Sequence, residues 1–310
     1  MEKKYYRSFG DACIQQFGRK LYRVALDAGM TCPNRDGTLS SGGCIFCGEG
    51  GSGDFAIPYH GQRLHVEDLI YNHQNAPEGD YIGYFQSYTN TYAPIDTLRK
   101  LFTAALSDPL FAGISIATRP DCIHEDTLSL LQELNQQFPE KFIWVELGLQ
   151  SIHEKIAQFI HRGYCLEVYD RCVKRLHAIG IEVTTHIILG LPYETEEMLY
   201  ETIRHLNAVH TDGIKLQLLH YLKHTRLGML YEQNPTQFEV LSLDTYVREI
   251  VHCIGLLDPS IVVHRLTGDG NKEELLAPLW SLNKRNVLNQ IRHVLAVNGI
   301  VQGCFKDEKI

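Results

Sequence analysis

Short runs rich in β-branched and aromatic residues alternate with longer stretches whose apolar residues recur three and four positions apart. Tyr22 to Leu26, Tyr81 to Phe85, Gly113 to Ala117, Phe142 to Leu147, Glu182 to Ile188 and Gly213 to Leu218 read as strands. Val66 to His73, Ile95 to Leu106, Glu125 to Phe138, Leu166 to Ile179 and Glu194 to Val209 read as helices, with Ala93-Pro94-Ile95-Asp96 opening one and Ala178-Ile179-Gly180 closing another. Strand–helix alternation predicts a parallel sheet with right-handed crossovers. The expected fold is therefore α/β, a partial (β/α)6 TIM-like barrel over 22–222, with a site at the C-terminal ends of its strands. An N-terminal extension, 1–21, precedes it. A C-terminal extension, 223–310, is expected to pack on the barrel's side, with a helix from Leu243 to Leu256, a short strand from Ile261 to Arg265, a glycine turn and a helix around Asn286 to Val297.

Composition narrows the class. At 310 residues with 44% hydrophobic and 21% charged positions, the chain suits one large globular enzyme and excludes a disordered protein. No apolar run approaches a membrane span, and Met1 to Arg7 lacks the apolar core of a secretion signal, so a cytoplasmic location without a membrane partner is expected. Cysteines number nine, too odd a set for a disulfide framework; the scattered Cys13, Cys122, Cys165, Cys172, Cys253 and Cys304 read as small buried hydrophobes in a reducing compartment. A net charge of -8 argues against a broadly basic surface for nucleic acid but is compatible with a local basic patch. Oligomeric state is left open.

The run from Asp27 to Gly48 carries the chemistry. It is rich in glycine and holds Cys32, Cys44 and Cys47, the last two as Cys-x-x-Cys, and no fourth cysteine or nearby histidine completes the set. Structural zinc takes four closed ligands. A [4Fe–4S] cluster held by three thiolates instead keeps one iron open for chemistry. The loop follows the first strand and so falls on the site face.

Those three cysteines resemble the radical S-adenosylmethionine superfamily, with a longer first gap than its commonest form. The gap, Phe46 and Leu147-Gly148-Leu149-Gln150-Ser151 are similar to the branch containing the Elongator catalytic subunit. Tyr84 to Asn90 and Arg265-Leu266-Thr267-Gly268-Asp269-Gly270 extend the resemblance over nearly the full length, to bacterial YtqA/YhcC-type proteins. The resemblance implies a [4Fe–4S] cluster and S-adenosylmethionine as cofactors, cleavage to a 5′-deoxyadenosyl radical, and an electron donor such as flavodoxin or ferredoxin. It also implies site roles. Where the superfamily has a Gly-Gly-Glu-like stretch for the methionine amino group, Gln86-Ser87-Tyr88-Thr89-Asn90 stands, leaving backbone carbonyls and Gln86 or Ser87 to replace a carboxylate. Gln150 and Arg162 match a glutamine and arginine used for ribose and methionine carboxylate, against the plain reading of Arg162 as a surface cation. Glu146 either faces the cavity or alternates outward. Gly190, in Ile188-Leu189-Gly190-Leu191-Pro192, matches an adenine-contacting stretch, and His186 stands where related oxidases have an acid. Tyr88, Lys215, Gln217 and His220 are candidate substrate contacts, against solvation or core hydrogen bonding.

For the substrate, the Elongator-like resemblance implies a tRNA wobble uridine, trimmed from carboxymethylaminomethyl to aminomethyl. Lys3, Lys4, Arg7, Arg19, Lys20 and Arg23, with Lys284, Arg285 and Arg292, form two small basic stretches that either grip phosphates or are solvated faces. Tyr5, Tyr6, Tyr88 and Tyr92 offer stacking surfaces or simply pack. No acetyltransferase-like second domain is recognised, so an Elongator-style two-site reaction is not expected. Two other readings stay open: a radical reaction on a small metabolite or porphyrin-like acid, and a non-catalytic iron–sulfur or zinc-binding scaffold. The Gly-Asp-Gly turn at 268–270 either binds phosphate or returns the chain after a strand.

Overall fold

A computed structural model describes residues 4–48, 50–51, 56–69, 77–268, 270 and 272–308. The strands are β1 (Tyr22–Asp27), β2 (Ile57–Pro58), β3 (Tyr81–Phe85), β4 (Phe111–Thr118), β5 (Phe142–Gln150), β6 (Glu182–Leu189), β7 (Gly213–Leu218), β8 (Tyr221–Leu222), β9 (Val262–Arg265) and β10 (Leu275–Ala277). All except β8 and β10 form one parallel sheet in the order β2-β1-β3-β4-β5-β6-β7-β9. The helices are α1 (Phe9–Phe17), α2 (Ile95–Ser107), α3 (Glu125–Gln137), α4 (Glu154–Phe159), α5 (Leu166–Ala178), α6 (Glu196–Ala208), α7 (Arg226–Gln233), α8 (Leu243–Leu256) and α9 (Lys284–Asn298). The α/β barrel-like architecture expected from the alternation is the one observed.

Local sequence explains the layers. Every residue of β3 is buried, as a parallel strand covered on both faces requires. In α2 the buried positions Leu98, Leu101, Phe102, Ala105 and Leu106 fall on one stripe that packs on the sheet. Val66 to His73 was expected to be helical; Val66–Asp68 form a short 3-10 turn, and 70–73 lie outside the described residues. The sheet is longer than the six expected strands. At one edge β2 pairs with β1 through Leu26 and Ile57; at the other β9 pairs with β7 through Gly213 and Val262. The segment expected only to pack on the barrel's side thus supplies a strand. The main apolar core runs without a break from Val24 to Leu295, taking in α8 and α9.

The N-terminal segment closes the lower end of the sheet. In α1, the Ser8 hydroxyl accepts from the Asp11 N–H at 3.2 Å, and Gly18 ends the helix at φ 70°. Ser8 bridges to Val263, laying this segment along the free edge of β9. Arg23 of β1 reaches His264 of β9, Nη2 to Nδ1 2.6 Å, so the two ends of the sheet curl together there. Phe9, Phe17, Phe142 and Trp144 fill the end, with Phe142 and Trp144 stacked at 4.0 Å between centroids.

Several surface expectations change. Cys13, Cys122, Cys172 and Cys253 are buried as expected, but Cys165 and Cys304, at a helix N-cap and in the turn after α9, are exposed. The first basic stretch stays largely at the surface but is engaged within the chain: Lys4 pairs with Asp11 at 2.6 Å, Arg19 with Asp80 at 2.7 Å, and Arg7 donates to the Ser260 carbonyl at 2.6 Å. Lys3 lies outside the described residues. Tyr5 and Tyr6 pack on the core, and Tyr92 hydrogen-bonds Thr38 at 2.8 Å. No helix among the described residues is long and apolar enough to cross a membrane.

Candidate functional site

The cysteine loop leaves the C-terminal end of β1 and is tied down by its own side chains. The Arg35 N–H donates to the Cys32 carbonyl at 2.8 Å and the Cys47 N–H to the Cys44 carbonyl at 3.0 Å. Arg35 Nη2 donates to the carbonyls of Cys47 and Gly48 at 2.9 and 2.6 Å, pinning the Cys-x-x-Cys turn. Asn34 Nδ2 donates to the His161 carbonyl at 2.6 Å and to Cys44 Sγ at 3.6 Å, and the Ile45 N–H donates to the Ile160 carbonyl at 3.1 Å. The loop is therefore docked on the turn that follows α4. Across from it the Tyr88 ring lies on Gly51, so close that a Cβ there would sit 2.5 Å from Cδ1.

All three cysteines line one cavity of about 1080 Å³. Burial first, and Cys47 second, push the Cys44 thiol up to about 12, with the Arg119 guanidinium acting in the opposite sense. Among the described residues no three His, Cys, Asp or Glu side chains close around a single ion. Three cysteines lining one cavity, with the Arg119 guanidinium acting on Cys44, are instead a donor set that fits a thiolate-held iron–sulfur cluster with one open iron.

The wall above the sheet is built from strand ends. Asn90, fully buried, donates through Nδ2 to the carbonyls of Phe85, Ser87 and Ala117 at 3.1, 3.0 and 2.9 Å, shaping the loop that carries Gln86 and Tyr88 into the cavity. Ser87 does not line the cavity; it is buried, and its hydroxyl has no hydrogen-bond partner among the described residues. At the end of β5 the register slips between Gly148 and Gln150, and Gln150 adopts φ 65°. Its amide folds over Gly148, where a Cβ would meet Nε2 at 2.7 Å. Phe46 lines the same wall.

Arg162 is not a surface cation. It is 1% exposed, and Nη1 donates to the carbonyls of Leu149 and Ser151 at 3.0 and 2.6 Å, while Nε and Nη2 donate to the Tyr164 carbonyl at 3.0 and 2.9 Å. It holds the irregular end of β5 in place at the cavity edge. Beside it stands Arg119, which the sequence reading did not single out. Arg119 forms a two-pronged pair with Asp121, 2.9 and 2.7 Å, and donates to the Arg162 carbonyl at 2.9 Å. Burial works against its charge, but Asp121 outweighs it and the guanidinium stays protonated. Thr118-Arg119-Pro120-Asp121 at a strand's C-terminal end was the signal available. Gly190, at φ 81°, packs toward Leu241 and does not line the cavity, whereas Ile188 does.

The cavity's floor is a set of polar side chains. Glu146 points inward, 1% exposed, accepting from Ser115 Oγ at 2.9 Å, from His186 Nε2 at 2.6 Å and from Lys215 Nζ, with Arg23 at 3.7 Å. Lys215 also donates to Tyr84 Oη at 2.9 Å, and Gln217 Nε2 meets His186 Nδ1 at 3.3 Å. Burial opposes the Glu146 charge, but Lys215, His186 and Arg23 prevail and hold its carboxyl well below the usual range. Burial, aided by the Lys215 charge, lowers His186 to about 4, and burial brings Lys215 down to about 7 against the pull of Glu146. Lys215 thus lines the cavity while hydrogen-bonding within the buried floor. Arg23, expected on a basic surface, is part of this floor. His220 closes one side against Gly268 and Gly270, where a Cβ would meet its ring at 3.2 or 3.0 Å; Asp269 lies outside the described residues.

A family model described as the radical SAM superfamily matches residues 34–206, and one described as the Radical_SAM C-terminal domain matches 211–296. The protein YtqA of Bacillus subtilis is 42% identical over 98% of this chain and 93% of its own length. A tRNA uridine(34) acetyltransferase of Methanocaldococcus jannaschii is 24% identical over 45% of this chain and 26% of that protein. Among solved structures, the archaeal Methanocaldococcus infernus Elp3 has the same fold, with a TM-score of 0.62 at 17% identity over 74% of this chain and 57% of that one.

Proposed function

The chain belongs to the radical S-adenosylmethionine superfamily, and from that premise we propose that it modifies a tRNA wobble uridine, trimming a carboxymethylaminomethyl group to aminomethyl. Members of the superfamily bind a [4Fe–4S] cluster and S-adenosylmethionine, which together supply a 5′-deoxyadenosyl radical able to take hydrogen from carbon next to nitrogen. Cys32, Cys44 and Cys47 hold the cluster in this reading. Gln86 and Gln150 orient the methionine and ribose ends of the cofactor, Phe46 covers it, and Arg119 and Arg162 form the cationic edge nearest its carboxylate. Ile188 lies against the adenine, with Gly190 turning the chain behind it. Tyr88, Gln217 and His220 flank the substrate.

The observation that carries the reading is one cavity of about 1080 Å³ that joins the three cysteines to a charged floor, roomy enough for a base carrying a side arm. The tRNA choice draws support from sequence similarity to a tRNA uridine(34) acetyltransferase. It also draws support from Lys223 and Lys284 on the cavity wall, cations suited to RNA phosphates. The total charge of -8 weighs against a broad RNA-binding surface and so supports a second reading, a small metabolite or porphyrin-like acid.

The test is anaerobic. Reconstituted protein with dithionite and S-adenosylmethionine is assayed for 5′-deoxyadenosine with and without bulk tRNA from cells lacking this protein. Formation that rises with that tRNA, and falls steeply with salt, is expected. Formation indifferent to tRNA sinks the tRNA assignment, and none at all from cluster-loaded protein sinks the enzyme.

A further inference from the structure

Barrels of this kind fill their interior with Val, Ile and Leu. Here, halfway down, separate strands each send in a polar side chain: Arg23 from β1, Tyr84 from β3, Glu146 from β5, His186 from β6, Lys215 from β7 and His264 from β9. Stability does not account for such a layer, because exchanging a buried ion network for well-packed apolar residues is commonly neutral or favourable. The layer is also not self-neutralising. Among these six side chains Glu146 is the one carboxylate, and it faces both Arg23 and Lys215. His186 and His264 are held uncharged by burial, Arg23 and Lys215 adding to the effect.

Donors remain to be used. Two of the three Lys215 N–H groups go to Glu146 and Tyr84, and Arg23 Nε is buried without a hydrogen-bond partner among the described residues. Excess positive charge and unspent donors at the dry end of a cavity are the means of recognising an anion. The depth excludes an RNA phosphate, since the floor side chains of Glu146 and Lys215 are only 1% and 7% exposed, beyond the reach of a sugar–phosphate backbone.

We propose that this layer receives the carboxylate of the substrate's side arm, with Lys215 and Arg23 as its donors, and so selects an acidic base over one lacking the acid; the assignment rests on the wobble-uridine reading above. Glu146 is then a positioning residue. It orders Lys215 in the empty site and shares it when the ligand carboxylate arrives.

The experiment uses anaerobic, cluster-loaded protein with S-adenosylmethionine. Binding is measured for an anticodon stem-loop bearing 5-carboxymethylaminomethyluridine, for the same stem-loop as its methyl ester, and for the two free nucleosides. Wild type is expected to prefer the acid by about tenfold or more, as charge-assisted hydrogen bonds allow. In Lys215→Met the preference should fall below about threefold with ester binding kept. Because that change strands Glu146, the double variant Glu146→Gln/Lys215→Met, which removes both charges, is measured too, with iron content and melting temperature as folding checks. An acid preference that survives both variants, or wild type that binds acid and ester alike, overturns the anion layer while leaving the tRNA reading in place. Failure of both stem-loops with Lys215-dependent binding of the free acid nucleoside overturns the tRNA reading and keeps the layer. If neither the stem-loops nor the nucleosides bind at all, both fall.

Discussion

Replacing Asn90 by alanine tests whether the wall of the cavity is held by one amide. Its Nδ2 serves the Phe85, Ser87 and Ala117 carbonyls at 2.9 to 3.1 Å in a fully buried position. After Asn90→Ala, the Ala117 carbonyl keeps the backbone N–H of residue 90 at 3.1 Å, whereas the Phe85 and Ser87 carbonyls lose the amide. Each abandoned buried acceptor costs about 1–3 kcal/mol, and release of the unpartnered Oδ1 returns part of it, so a net loss of about 3 kcal/mol is expected. For a chain of this length that is a fall of about 5 °C in melting temperature. Urea unfolding of the metal-free protein reads the same quantity without interference from the cluster. Asn90→Asp separates hydrogen bonding from volume. It fills the same space but turns a donor into an acceptor facing carbonyls, so it should destabilise at least as much as alanine near pH 7 and recover as pH falls toward 5. A loss below about 0.5 kcal/mol for alanine, or an Asp variant milder than Ala, would refute the reasoning.

Three further outcomes are expected. Alanine at Gly51 drives a Cβ to 2.5 Å from the Tyr88 ring at a backbone φ of 61°, so Gly51→Ala should lower reconstituted iron content and cut 5′-deoxyadenosine formation about tenfold or more, with partial recovery in Gly51→Ala/Tyr88→Ala; normal iron loading in the single variant counts against it. Alanine at Cys32, Cys44 or Cys47 should abolish the visible absorption of the cluster, while Cys165→Ala and Cys304→Ala, at exposed thiols, leave it unchanged; a spectrum lost in either of the last two would mean that the ligand set is wrong. Burial pushes the Glu194 carboxyl up to about 8, so the folded protein holds a proton that the unfolded chain releases near its ordinary value; this stability is full below that value and is lost as pH rises to about 8. Urea midpoints of Glu194→Gln should therefore exceed wild type at pH 8.5 and converge with it toward pH 4.5, and parallel curves would exclude the buried acid as cause.

Elements with dense local signals were readable from sequence. Gly213 to Leu218 and Tyr81 to Phe85 are strands with the expected limits, since a β-branched or aromatic run bounded by polar residues states its own length. Ile261 to Arg265 was readable as a strand but not as a partner of β7, because that pairing is decided by a contact across the sheet and not by the segment's own residues. Helices α1, α4 and α7 escaped, being short, with tertiary packing supplying most of their stability. The β2 pairing covers two residues and leaves no periodicity to read. In the site, the cysteines announced themselves by spacing. Arg23 did not, because a cation in a basic stretch reads as surface until the curl of the sheet turns that face of β1 inward against Glu146 and His264. Asn34 and Arg35 were likewise hidden, since their partners are a carbonyl of the turn after α4 and the backbone of the Cys-x-x-Cys turn.

The aromatic plug formed by Phe9, Phe17, Phe142 and Trp144 has a kinetic consequence. With that end filled by aromatic rings, the polar floor at Glu146 and Lys215 opens toward the strand ends that carry Cys32, Cys44 and Cys47, which line the same cavity. Under the reading proposed above, the order of loading then matters: a side arm seated at Glu146 and Lys215 has to arrive before the space beside Cys32, Cys44 and Cys47 is filled, so protein preincubated with S-adenosylmethionine should take up the stem-loop more slowly than protein given both together.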